Sequence, residues 1–143
     1  VNAFRGRYEH QMDEKGRVSL PSAFRHGDGA DRFFLLQWEA SYLTLFPEAK
    51  WADVESRLLE YRKGGREAMN QVRMIFSGLV EVSPDKQGRI LIPSHLQAAA
   101  SLSGPVLLLG VSDRIELWDP ATYERSVREQ TGDFAQFAHK LFG

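Results

Sequence analysis

Asp13-Glu14-Lys15-Gly16-Arg17-Val18-Ser19-Leu20-Pro21-Ser22 returns later in the chain as Asp85-Lys86-Gln87-Gly88-Arg89-Ile90-Leu91-Ile92-Pro93-Ser94. The offset is 72 residues, without a gap, and it extends upstream through Glu9 and Glu81, Gly6 and Gly78, and Phe4 and Phe76. Across this stretch 8 of 19 aligned positions are identical. Chance composition would supply about one. One small supersecondary unit is therefore used twice, and each copy carries the same charged turn. Further on, Leu45-Phe46 returns as Leu117-Trp118, so the duplication spans more than the turn. The loop before the later strands is one residue longer in the second copy.

Each copy reads the same way. Phe4 to Met12 predicts a strand and Asp13 to Gly16 a turn. Arg17 to Leu20 alternates as a short strand, and Pro21 opens a short helix to Arg25. Residues 26–31 form a loop by composition. Phe33 to Trp38 and Tyr42 to Phe46 are apolar, aromatic-rich strands. A helix then opens at Pro47-Glu48, with Trp51, Val54, Leu58 and Tyr61 as its apolar stripe. A second helix runs from Glu67 to about Ile75. The second copy predicts strand from Phe76 to Ser83, a turn to Gly88, and strand from Arg89 to Ile92. A short helix from Pro93 and paired strands at Val106 to Gly110 and Arg114 to Trp118 follow. Asp119-Pro120 is a helix start, with Asp as N-cap and Pro next. A tail helix carries Phe134, Phe137 and Leu141. The organisation expected is residues 1–63 as the first repeat with its long helix, 64–75 as a connecting helix, and 76–143 as the second repeat with C-terminal helices, all one compact unit.

Aspartate at the first turn position and glycine at the fourth shape a tight hairpin; the aspartate caps the turn and glycine accepts positive φ. Turn formation does not require the cations. Lys15, Arg17, Lys86 and Arg89 therefore invite a functional reading, because two hairpins folded together bring two basic tips to one face. Arginine grips phosphate or the edge of guanine with its fork, and lysine adds a point charge. A two-stranded ribbon tip fits the major groove. Arg5 and Arg7 share one strand face by period two and are candidates to widen the basic surface; Arg25 suits either a structural or a binding role.

Composition limits the classes. The 143 residues carry a net charge of −1, so bulk charge alone does not drive nucleic-acid binding, and many copies must act together. There is no cysteine, hence no disulfide frame and no thiolate metal site; this fits a reducing cytoplasm. No apolar run suggests a membrane span, and the N-terminal residues do not read as a signal peptide. His10, His26, His95 and His139 lack metal-ligand spacing. Asp28 to Asp31 matches only a fragment of a calcium loop. No nucleophile elbow, P-loop or dinucleotide fingerprint is present, so no enzyme, cofactor, metal or small-molecule substrate is expected.

The doubled Asp-x-x-Gly-Arg with its proline, Phe4-Arg5-Gly6 near the start, and Glu116-Leu117-Trp118-Asp119 near the end resemble the MraZ family of bacterial transcriptional regulators. The resemblance runs from about Phe4 to Arg128. It implies an α+β fold in which two tandem AbrB-like β-hairpin half-domains form one pseudo-twofold β-barrel with flanking helices. It implies ring-like homo-oligomers, often of eight or more subunits. It also implies binding of double-stranded DNA at direct repeats in the promoter of the division and cell-wall gene cluster, in a cytoplasmic, nucleoid-associated protein. The family's Asp-x-x-x-Arg signature falls on Asp13 with Arg17 and Asp85 with Arg89. The second turn departs from the first by carrying its lysine one place earlier, at Lys86. An oligomeric interaction scaffold using the same basic loops on acidic partners is the alternative.

Overall fold

The two copies exchange strands. The computed structural model describes residues 3–26 and 31–143. The first repeat contains β1 (Phe4–Gln11), β2 (Arg17–Ser19), a 3-10 turn at Ser22–Phe24, β3 (Phe33–Leu36), β4 (Tyr42–Pro47), α1 (Glu48–Tyr61), a second 3-10 turn at Arg62–Gly64 and α2 (Arg66–Gly78). The second contains β5 (Val80–Val82), β6 (Arg89–Leu91), α3 (Ser94–Ala99), β7 (Pro105–Ser112), β8 (Ile115–Trp118), α4 (Pro120–Gln130) and α5 (Phe134–Phe142). Most of the loop expected at residues 26–31, and with it most of the calcium-loop fragment, lies outside the described residues.

Six strands form one antiparallel sheet in the order β1-β7-β8-β4-β3-β5, and β2 pairs with β6 in a separate ribbon. The first strand of each copy thus lies on the third strand of the other: β1 pairs with β7, and β5 with β3. At the centre of the sheet Thr44 faces Glu116, and in the ribbon Val18 faces Ile90. Each of these is a residue paired with its own counterpart 72 positions away, so a pseudo-twofold axis passes through both. The extra loop residue of copy two is visible in the register. Counterparts His10 and Val82 meet Val106 and Phe33, which are 73 apart.

Alternation along the strands makes two cores. Val18, Leu20, Ile90 and Ile92 pack with Leu35, Leu43, Leu45, Leu108, Ile115 and Leu117 beneath the ribbon. Burying each such side chain contributes about 1.5–3 kcal/mol, and this seam glues ribbon to sheet. The opposite face of β3 and β4 presents Leu36 and Phe46 to Trp51 of α1, with Val54, Leu58, Ile75 and Phe76 around them. Helix α4 covers the same side of β8, with Tyr123 edge-on to Trp118 at 5.2 Å. It starts where Asp119 accepts from the Thr122 backbone N–H at 3.0 Å, satisfying one of the orphan donors of its first turn.

Three expectations need correction. The sheet is not closed into a barrel: β1 and β5 are its two edges, and the ribbon lies over one face instead. The strand expected from Phe76 is helix as far as Gly78, and only Val80–Val82 is strand. The reason is tertiary, because Phe76 meets Trp51 edge-on at 6.2 Å and that burial outweighs the strand-like local pattern. Tyr61, placed on the buried stripe of α1, is exposed and its hydroxyl donates to Gln71 at 2.6 Å.

Candidate nucleic-acid interface

The ribbon is built from its turns. Asp13 Oδ1 accepts the backbone N–H groups of Lys15 at 3.0 Å and Arg17 at 2.8 Å. Asp85 Oδ1 does the same for Gln87 and Arg89, both at 2.9 Å. Gly16 and Gly88 close the turns at φ +85° and +79°, a region open to glycine at no steric cost. Each turn is also braced by the other copy. The Ile92 N–H donates to the Gly16 carbonyl and the Leu20 N–H to the Gly88 carbonyl, both at 2.8 Å. Neither turn is complete without its twin.

The same aspartates aim the arginines. Arg17 Nε donates to Asp13 Oδ2 at 2.8 Å, and Arg89 Nε to Asp85 Oδ2 at 3.1 Å. These are ion pairs, as a purely structural role would require, yet they do not bury the guanidinium. The side chains remain 34% and 29% exposed, and only Nε is engaged among the described residues. The two terminal nitrogens of each fork are left for an outside acceptor. Val18 and Ile90 point into the core, so Arg17, Ser19, Arg89 and Leu91 point outward together. Arg17 faces Leu91 and Arg89 faces Ser19, placing both arginines on one outer surface of a ribbon three residues long. Lys15 and Lys86 are exposed at the two tips.

The carboxyls of Asp13 and Asp85 sit below the usual aspartate range, chiefly because each accepts the backbone N–H of Arg17 or Arg89; the arginine side chains add to this. A depressed folded-state value means the braces contribute fully above the ordinary carboxylate range and fail only as pH falls through the lowered value. At neutral pH both braces are intact.

Arg5 and Arg7 are not brought to this surface. Phe4 and Tyr8 of β1 turn toward the ribbon side and meet Phe24 at 5.6 and 5.2 Å. Arg7 points the other way, over the Tyr123 ring at 5.5 Å and against Glu124 at 3.2 Å. Strand alternation gives Arg5 the same side. Two residues that sequence reading left open or unnamed do reach the turns. Gln97 lies over Gly16 and Arg25 lies over Gly88. The signal was in the repeat, since each stands four places after the proline of its copy. Among the described residues, no three His, Asp or Glu side chains cluster as metal ligands.

Fold and site together define a tandem-repeat β-ribbon protein that presents paired, aspartate-braced arginine turns on one face. The family model described as "MraZ protein, putative antitoxin-like" matches residues 3–71 and again residues 75–143. The "Transcriptional regulator MraZ" of Desulforamulus reducens is 36% identical over 138 residues, 96% of each chain. The chain belongs to the MraZ family. The second match runs through residue 143, so it takes in α5 as well as the Asp85–Arg89 turn.

Proposed function

We propose that this chain is a sequence-specific DNA-binding transcriptional regulator of a division and cell-wall gene cluster, active in the cytoplasm at the nucleoid. The observation that carries the proposal is the outer face of the ribbon, where Arg17 and Arg89 each offer the free end of a guanidinium already held by aspartate. A pre-aimed fork loses little freedom on meeting phosphate or guanine. The relative's name, which denotes a transcriptional regulator, supports the same reading; neither that name nor the family's description denotes an enzyme.

One chain of net charge −1 offers few cations, so affinity comes from assembly on direct repeats. Helix α5 supports this. Phe134, Phe137, Leu141 and Phe142 are all exposed on it, an apolar surface large for one short helix and suited to a second copy in a ring. The test is a gel shift on the division-cluster promoter of the source organism, with one or several repeats in phase. Binding is expected to strengthen with repeat number and to weaken with salt at a log–log slope of about −0.9 per phosphate neutralised. Phe137→Glu should shrink the assembly by light scattering and remove the gain from added repeats. Equal affinity for one and several repeats would count against assembly, and a salt-independent complex against DNA recognition itself. If duplex DNA fails to displace an acidic protein partner, the scaffold reading replaces both.

A further inference from the structure

We infer that the two ends of the ribbon are unequal. The Asp85–Arg89 turn, joined by Arg25 from the other repeat, is the dominant phosphate-gripping end, and the Asp13–Arg17 turn is the subordinate one. The inference rests on the DNA-binding reading above and adds to it a residue, Arg25, and a polarity.

The pseudo-twofold axis allows the two ends to be compared position by position. Glu14 corresponds to Lys86, Lys15 to Gln87, and Gln97 to Arg25. Gln97 and Arg25 do the same structural work. Gln97 Nε2 donates to the Ile92 carbonyl at 2.7 Å, and Arg25 Nε to the Leu20 carbonyl at 2.9 Å. Each then lies against the turn glycine of the opposite copy. A Cβ on Gly88 would sit 2.6 Å from Arg25 Cζ and 2.8 Å from its Nη1, and a Cβ on Gly16 would collide with the Gln97 amide. The glycines are thus shaped around these side chains as well as around the turn.

Only one of the two heads is charged. At the first turn two carboxylates, Asp13 and Glu14, stand with two cations, Lys15 and Arg17. At the second, Asp85 stands alone with Lys86, Arg89 and Arg25. The first end is locally neutral and the second carries an excess of two positive charges. Arg25 is half-buried, and its Nε is taken by a backbone carbonyl. Its terminal nitrogens lie beside Gly88, against the base of the turn that carries Lys86. Against a polyanion the second end engages first and holds harder. A ribbon that is nearly symmetric in backbone therefore meets a duplex in one preferred orientation.

The repeat supplies its own control, because Arg25→Gln installs the residue that already does this structural job in the other copy. The probe is a fluorescein-labelled mixed-sequence duplex of about 30 base pairs, followed by anisotropy between about 50 and 200 mM salt. Arg25→Gln is expected to weaken binding about tenfold and flatten the log–log salt slope by about 0.9. Its melting temperature should stay near that of the parent. Gln97→Arg is expected to strengthen binding by a similar factor and steepen the slope. If Arg25→Gln matches the parent in affinity and slope while Arg89→Ala binds weakly, the polarity is wrong and the DNA reading stands. If the parent shows no salt-dependent binding to the duplex, both fall together. Should Arg25→Gln melt early, Gln97→Arg decides alone, and an unchanged slope there overturns the inference.

Discussion

Arg89→Ala is expected to abolish operator binding under conditions where the parent protein is fully bound, and Arg17→Ala to weaken it less, while both variants still fold. The contrast between the effects on binding and on folding follows from what each arginine touches. Inside the molecule it makes one partly exposed ion pair to an aspartate four residues away, worth about 0.2–1 kcal/mol. The aspartate keeps its two backbone donors after the arginine is gone, so the turn survives. For a chain of this size the loss corresponds to a melting shift of at most about 4 °C. Outside the molecule the removed fork would have met phosphate or guanine, at about 1–3 kcal/mol per good contact. In an assembly every subunit loses that contact at once, and the losses multiply. Thermal melting beside a gel shift separates the two effects. A variant that is folded and binds the promoter as the parent does would remove the arginines from the interface.

Gly110→Ala is expected to have the largest effect on stability of any glycine-to-alanine change among the described residues. Gly110 faces Gly6 across the β1–β7 ladder. A Cβ there would lie 2.5 Å from the Phe4 carbonyl carbon and 2.8 Å from Arg5 Cα, and would overlap the Arg5 nitrogen. These are backbone atoms of a paired strand, which cannot rotate aside as a side chain does. Relief requires the end of β1 to pull away, and that end carries Phe4 into the core against Phe24. The cost should reach about 3 kcal/mol, the upper part of the usual overpacking range, lowering the melting temperature by about 6–12 °C. Gly78→Ala is the matched control: nothing lies within 4 Å of its Cβ position, so it should melt close to the parent. Equal melting of the two variants would mean that β1 is not held against β7 as described.

Both results depend on strand exchange, which was only half legible in the amino-acid order. The doubled Asp-x-x-Gly-Arg announced two hairpin turns, and both close as their residues require. Asp119-Pro120 announced a helix start, and the carboxylate caps it. These features are local: a few residues satisfy one another's hydrogen bonds and φ requirements within a turn. Phe76 shows where such reading stops. Its neighbourhood alternates like the strand it copies, but Trp51 lies within ring contact, and the residue stays in α2. Arg7 shows the same for the site. Period two set it on one face with Arg5, yet which face of β1 meets the ribbon and which meets α4 depends on packing tens of residues away.

Residue order thus carried the turn chemistry, the helix caps, the apolar periodicities and the twofold repetition, because each is settled by neighbours along the chain. Folding in three dimensions decided three other things: that β1 lies on β7 rather than within its own repeat, that the sheet stays open beneath a separate ribbon, and that Arg25 and Gln97 reach across to opposite turns. Alternation tells a strand which of its sides is apolar, but the choice of partner strand comes from the long-range burial of Val18, Ile90 and the sheet residues beneath them, a gain realised only when both repeats are folded together.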